Sequence, residues 1–145
     1  LATTGTNTLT FNTDIEMLTA GAAADKITLS AAVSGRSFDL DAGLDQITLA
    51  NGGNSLTLSN VESVLGGTGA DTVTLATNST GGVVDLGLGS DILNFTATTG
   101  ANSVSVSGVE TIVADASDDT ITLATAISAG AVNLGGGINK LTRVD

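Results

Sequence analysis

The sequence lacks cysteine, histidine, proline, tryptophan and tyrosine altogether, and it contains only three phenylalanines in 145 residues. Without cysteine or histidine it has neither a thiol nucleophile nor the usual zinc ligands. Serine and threonine are common, but none has a basic partner, so the sequence predicts that the chain is not an enzyme. Because large aromatic side chains are so scarce, the core must be thin and layered, built from leucine, valine, isoleucine and alanine.

Positive charge is also scarce. Lys26, Arg36, Lys140 and Arg143 are the four cations, set against 15 acidic residues, and the net charge is −11. This balance argues against binding to nucleic acid or to anionic membrane surfaces, and it is compatible with divalent cations. No apolar run reaches the roughly 18 residues of a membrane span, so we expect no membrane insertion.

Glycine, threonine and β-branched residues dominate what is present, and they fall into a threefold repeat within one domain, 1–145. The units are 1–50, 51–97 and 98–145, and each contains five short segments in which apolar and polar residues alternate. Alternation with a period of two indicates a strand with one buried face. The sequence therefore predicts about 15 short strands. We interpret the chain as a segment of a longer array whose export signal lies outside it.

An Asp or Asn two residues before an inward apolar residue marks most of these strands. The marked positions are Asn7, Asp25, Asp45, Asn54, Asp71, Asp91, Asn102, Asp119 and Asn139. Successive steps are 18, 20, 9, 17, 20, 11, 17 and 20 residues, close to the roughly 18 and 9 residues of a full and a half coil in a nonapeptide β-roll. The prediction is all-β: a right-handed parallel β-roll or β-solenoid of about seven coils, roughly 35 Å long. Five half coils per unit should move the Asp/Asn signal to the opposite side of the roll in each successive unit.

One stretch carries a resemblance to a known family. Residues 66–74, Gly-Gly-Thr-Gly-Ala-Asp-Thr-Val-Thr, match the nonapeptide G-G-x-G-x-D-x-U-x, where U is apolar. Here the chain resembles the RTX (repeats-in-toxin), hemolysin-type calcium-binding proteins, although the other repeats match only in part. The resemblance implies Ca²⁺ held between coils by aspartates and the carbonyls of glycine turns. Its expected ligands are Asp71 with Gly67 and Gly69, Asp91 with Gly87 and Gly89, and Asp45.

The polar side chains could serve roles other than metal binding. The Asp and Asn side chains could instead satisfy their own turns and adopt left-handed backbone conformations. Glu16, Glu62 and Glu110, one in each unit, are predicted to be solvated surface charges. Outward pairs such as Thr72 and Thr74 could form a flat hydroxyl face of the kind seen on ice-binding solenoids, although exposed strands favour threonine in any case.

The resulting hypothesis is a structural β-solenoid module of a secreted bacterial RTX-like protein, at the extracellular cell surface. It would act as a spacer, a surface-layer segment or an adhesin segment, rigidified by calcium and associating end to end with other copies. The alternative is a binding module whose Thr/Ser face or open end recognises ice, a glycan or cell-surface partner, or another copy of the chain. Both ends of such a solenoid are expected to be exposed edges.

Overall fold

The computed structural model describes residues 1–2 and 4–144, and fifteen short strands in this part of the chain form two sheets. The eight-stranded sheet contains β1 (Thr8–Phe11), β3 (Lys26–Leu29), β5 (Gln46–Thr48), β7 (Ser63–Thr68), β9 (Thr80–Leu88), β11 (Ser103–Ser107), β13 (Thr120–Leu123) and β15 (Lys140–Arg143). The seven-stranded sheet contains β2 (Met17–Thr19), β4 (Ser34–Asp39), β6 (Ser55–Ser59), β8 (Thr72–Leu75), β10 (Ile92–Asn94), β12 (Thr111–Val113) and β14 (Ala131–Asn133). No helix in residues 1–2 and 4–144 is long and apolar enough to cross a membrane.

Each strand from β1 to β13 pairs in parallel with the strand two places further along the chain, as β1 does with β3 and β2 with β4. The chain therefore passes from one sheet to the other after each strand and stacks into coils. This architecture confirms the predicted parallel β-solenoid. Two irregularities occur. The register of β9 with β11 shifts between Ser103 and Val104, opposite Thr80 and Gly82, and the register of β4 with β6 shifts between Ser34 and Arg36, opposite Ser55 and Leu56.

The core is the narrow space between the two sheets. Inward positions stay in register from coil to coil, for example Leu56 beside Val73 and Val73 beside Leu93. Fully burying such an aliphatic side chain stabilises the fold by about 1.5–3 kcal/mol. Phe11 and Phe38 meet edge to face, with ring centroids 5.5 Å apart. Of the inward pairs expected from the alternation, Leu9 in the first coil is only half-buried, because no further coil covers it in this structure.

The turns form the two long edges of the roll. We call the side with the turns that precede odd-numbered strands the first edge, and the side with the turns that precede even-numbered strands the second edge. Asn7, Asp25 and Asp45 precede β1, β3 and β5 on the first edge, whereas Asn54, Asp71 and Asp91 precede β6, β8 and β10 on the second. Asn102, Asp119 and Asn139 return to the first edge. The predicted change of side from unit to unit is confirmed.

The glycine-rich nonapeptide is placed differently from expectation. Gly67 lies inside β7 and pairs with Gly87 of β9, so the strand continues where a turn was predicted. The turn begins at Gly69, whose φ of 142° is the kind that favours glycine. A Cβ at Gly69 would lie 2.6 Å from the carbonyl carbon of Gly52 in the preceding coil. These glycines thus permit two coils to approach closely.

Candidate functional site

One column of residues runs along each edge, and each member stands immediately before a strand. The column on the first edge is Asn7, Asp25, Asp45, Glu62, Ser79, Asn102, Asp119 and Asn139. The column on the second edge is Glu16, Val33, Asn54, Asp71, Asp91, Glu110 and Gly130. Each column contains one run in the order Asn, Asp, Asp, Glu, and the first edge also contains a shorter run, Asn102, Asp119 and Asn139, that begins in the same way. We call each of these three runs a ladder.

On the second edge, the ladder is held by hydrogen bonds between successive coils. The backbone N–H of Asn54 donates to Asp71 Oδ1, and that of Asp71 donates to Asp91 Oδ1, both at 2.7 Å. The backbone N–H of Asp91 donates to Glu110 Oε2 at 2.8 Å. A buried N–H at the start of a strand needs an acceptor, and an ionised carboxylate is a strong one. Each acidic side chain therefore ties its own coil to the one before it.

The first edge repeats the arrangement. The N–H groups of Asn7 and Asp25 donate to Oδ1 of Asp25 and Asp45, each at 2.6 Å. The N–H of Asp45 donates to Glu62 Oε2 at 2.8 Å, which ends this ladder as Glu110 ends the other. A third ladder begins at Asn102, whose N–H donates to Asp119 Oδ1 at 2.9 Å.

Asparagine and aspartate use their second side-chain atom differently. Asn54 Nδ2 donates to the carbonyls of Ala50 and Gly52 in its own turn, at 2.9 and 2.8 Å, and to Asp71 Oδ1 at 2.9 Å. In aspartate, an oxygen takes the place of that amide. Within the described part of the chain, four of these oxygens are buried and have no hydrogen-bond partner: Oδ2 of Asp45, Asp71, Asp91 and Asp119. Such atoms are rare in folded proteins, and they identify the places where a proton or a cation would be most favourable.

Asp25 is the exception, because its Oδ2 accepts the N–H of Gly21 at 3.3 Å. Burial raises the pKa of this carboxyl, but the hydrogen bonds from Asn7 and Gly21 outweigh that effect and lower the pKa below its ordinary value. For Asp91 the balance is reversed: burial raises the pKa, and the neighbouring carboxylates of Asp71 and Glu110 raise it further. Burial likewise raises the pKa of Asp45, with Glu62 among the neighbours that add to the effect.

The expectation that the glutamates are simple surface charges is wrong for Glu62 and Glu110. Both are half-buried and accept the N–H of the aspartate in the preceding coil. Only Glu16 is highly exposed, with an ion pair to Arg36 at 3.6 Å. The sequence signal that could have revealed this role is the position of Glu, which stands just before a strand, as the aspartates do.

One alternative was that the marked Asp and Asn side chains satisfy their own turns. It is confirmed in part for asparagine, because Asn54 Nδ2 donates to two carbonyls of its own turn. Left-handed conformations do not occur at the ladder positions. Among the described residues, the non-glycine residues with positive φ are Asp41, Asn60 and Ala129. The aspartates act mainly between coils, which reasoning from a single turn could not show.

The structure brings together most of the residues predicted to bind metal. Asp71 and Asp91 are hydrogen-bonded neighbours on the second edge, and Gly69 donates its N–H to the carbonyl of Leu88 in the same two coils. Gly67 and Gly87 pair in the adjoining strands, and a Cβ at Gly89 would lie 2.6 Å from Asp91 Oδ1. Asp45 lies on the opposite edge. Across residues 1–2 and 4–144, no three acidic side chains converge as a metal-binding group.

The outward face of the eight-stranded sheet carries a short hydroxyl column. Thr10, Thr28 and Thr48 lie side by side in β1, β3 and β5. Leu65 of β7 follows them, because Thr48 pairs with Leu65. This column therefore extends over three coils. On the seven-stranded sheet, the column that contains Thr74 continues to Thr57 of β6 on one side and is interrupted by Asn94 of β10 on the other.

A comparison with protein families, curated proteins and solved structures found no match to this chain. In the part of the chain that the structure describes, no surface pocket is present. The two edge columns are thus the features from which a function can be argued.

Proposed function

We propose that this chain is a structural β-solenoid module of a secreted bacterial RTX-like protein, acting as a spacer, a surface-layer segment or an adhesin segment. The observation that carries the proposal is the axial continuity of the ladders. Each acidic side chain joins one coil to the next, so the hydrogen bonds run along the rod, in addition to those of the sheets. Such an arrangement resists bending and separation of coils, which is what a spacer requires.

Calcium binding along the second edge is the second part of the proposal. The donor set consists of oxygen atoms, which suit Ca²⁺. Asp71 and Asp91 each have a buried Oδ2 with no hydrogen-bond partner among the described residues. The residues present therefore fit a cation, which Asp71 and Asp91 would hold together with carbonyls of the Gly67–Gly69 and Gly87–Gly89 segments. Asp45 would offer a further ligand on the first edge. A bound divalent cation would neutralise charge that otherwise opposes compaction of a chain with a net charge of −11.

The spacer role can be tested by measuring the length of the rod. The outer strands of the eight-stranded sheet, β1 and β15, are seven strand spacings apart, which corresponds to about 34 Å. Dyes on cysteines introduced at Thr8 and Lys140 should report this distance by Förster transfer until a cooperative unfolding transition. A flexible chain of the same length would have an average end-to-end distance of about 60–70 Å. A distance near that value under native conditions would refute the rod.

The calcium part can be tested by melting the protein in chelator and again in millimolar calcium, with circular dichroism as the readout. We expect calcium to raise the melting temperature of the natural sequence. The double variant Asp71→Asn/Asp91→Asn should lose this response, whereas Asp14→Asn, at an exposed turn position, should keep it. Equal melting temperatures with and without calcium would remove the metal and leave a self-sufficient structural rod.

A further inference from the structure

The two ends of the rod are complementary to each other. Its five-strand units are β1–β5, β6–β10 and β11–β15, and at both internal junctions the same pairs of strands meet. At the first junction β6 pairs with β4 and β7 with β5; at the second, β11 pairs with β9 and β12 with β10. The corresponding strands at the C-terminal end are β14 and β15, and those at the N-terminal end are β1 and β2. All four are the outermost strands of their sheets.

We infer that copies of this chain stack head to tail with a half-turn about the rod axis, so that β1 of the second copy pairs with β14 and β2 of the second copy pairs with β15. This inference rests on the proposed structural role and adds its partner. The half-turn follows from the odd number of strands in a unit, because each unit begins in the sheet opposite to the one in which the previous unit began. A stack without the rotation would place β1 on β15 and leave the seven-stranded sheet one strand short.

The ladders supply the first argument for this pairing. At the internal junctions Glu62 and Glu110 accept the N–H of Asp45 and Asp91, each at 2.8 Å. Glu16 holds the same position before β2, and its side chain is 82% exposed. Asn139 holds the place of Asp45 and Asp91 before β15. In the rotated stack, Glu16 of the second copy lies where it can accept the N–H of Asn139.

The asparagine that starts each ladder supplies a second contact. Asn54 Oδ1 accepts the N–H of Val33, and Asn102 Oδ1 accepts that of Ser79, both at 3.1 Å. Asn7 of the second copy would accept the N–H of Gly130 in the same way. Its Oδ1 already accepts the N–H of Ala2, and an amide oxygen has a second lone pair available.

Burial supplies the third argument. Leu141 of β15 corresponds to Ile47 of β5 and Leu93 of β10, which are completely buried, yet Leu141 is 49% exposed. At the other end, Leu9 is half-buried, whereas its counterparts Leu56 and Val104 are buried. The end coils thus expose apolar side chains that a further coil of the same type would cover. Head-to-tail contacts of this kind do not close, so they generate filaments.

Two features oppose tight stacking: the N-terminal amine of Leu1 already donates to the carbonyl of Thr19 in β2 at 3.2 Å, and Arg143 occupies an inward position of β15. Arg143 stands where Leu49 and Phe95 are buried at the internal junctions. Enclosing its guanidinium would carry a desolvation cost. We therefore expect the contact between copies to be weaker than the internal junctions and to strengthen in Arg143→Leu.

Sedimentation velocity and electron microscopy of the 145-residue chain over a range of concentrations test the association. We expect oligomers that lengthen along the rod axis as the concentration rises. Leu141→Lys should raise the dissociation constant at least about tenfold. Leu44→Lys is the matched control, because Leu44 is 78% exposed at a turn away from the end and should leave the association unchanged. A chain that stays monomeric at all concentrations, or equal effects of the two substitutions, would overturn the inference.

Cysteine cross-linking tests the rotation. At the internal junctions Gln46 pairs with Ser63 and Ile92 with Thr111, so Lys140 should face Met17 of the second copy. Neighbouring parallel strands are about 4.8 Å apart, within the range that a disulfide spans. The variant Lys140→Cys/Met17→Cys should therefore form chains linked between copies on oxidation. Efficient linking in Lys140→Cys/Thr8→Cys instead would demonstrate the unrotated stack. If the copies did not associate, or if they stacked without the rotation, the rod length and the melting behaviour of the single chain would be unchanged. The structural role is therefore tested separately from the association.

Discussion

Replacing Asp91 by asparagine tests how the ladders are balanced. Asp91 is fully buried, its Oδ1 accepts the N–H of Asp71, and its Oδ2 has no hydrogen-bond partner in the described part of the chain. At the equivalent positions, Asn54 and Asn102 use Nδ2 to donate to oxygen atoms of their own turns. Asp91→Asn keeps the accepting oxygen, converts the unpartnered oxygen into a donor and removes a charge close to Asp71 and Glu110.

The expected magnitude follows from the cost of a buried unsatisfied group, which is about 1–3 kcal/mol. In chelator at neutral pH, Asp91→Asn should therefore raise the free energy of unfolding by about that amount. For a chain of this size, each 1 kcal/mol corresponds to roughly 2–4 °C in melting temperature. Urea unfolding followed by circular dichroism measures the change directly.

Asp25→Asn is the matched control, because it makes the same chemical change in a different environment. Asp25 Oδ2 accepts the N–H of Gly21, and an amide there would place one donor against another. This variant should lose about 1–3 kcal/mol. If Asp91→Asn were destabilised as much as Asp25→Asn, the carboxylate of Asp91 would be a net source of stability, and the reasoning from its unpartnered oxygen would be wrong.

The remaining predictions concern the core and pH. Val73→Asp places a charge at a completely buried position and should lower the free energy of unfolding in urea by at least about 3–5 kcal/mol. Thr74→Asp, on the outward face of the same strand, should lower it far less. Equal losses of stability would mean that Val73 does not face the core. Folding raises the pKa of Asp45 and Asp91, so their contribution to stability is greatest below the unfolded value of about 3.9 and is lost as the pH rises through the raised values. In chelator the urea midpoint should therefore increase as the pH falls from neutral through those raised values towards about 3.9. Asp25 acts in the opposite direction, and its contribution is lost as the pH falls below about 3.9, so stability should decline again in strong acid. A urea midpoint that falls steadily from neutral pH down to about 3.9 would contradict the raised pKa values of Asp45 and Asp91.

Much of the candidate site could be predicted from the sequence. The pairing of Asp71 with Asp91, and the location of Asp45 on the other side of the roll, follow from counting residues between successive signals. The hydrogen-bonding role of Glu62 and Glu110 was not predicted from the sequence. A glutamate between apolar neighbours can point outward as easily as along an edge, and only the adjacent coil, with an N–H in need of an acceptor, decides between them.

The sequence by itself determined the architecture of this protein. Alternating side chains with a period of two, and Asp or Asn signals at full- and half-coil spacings, admit few arrangements other than a stack of short parallel strands, because both are local properties of the chain. The tertiary structure alone decided which atoms of those signals are satisfied. Asp25 Oδ2 accepts the N–H of Gly21, whereas Asp91 Oδ2 has no donor in the described coils. This difference depends on the path of each turn and on the coil stacked against it, because a shift of a few tenths of an ångström between donor and acceptor makes or breaks a hydrogen bond. No pattern of residue types encodes positions at that scale, since they are set by the packing of coils that lie about twenty residues apart in the chain.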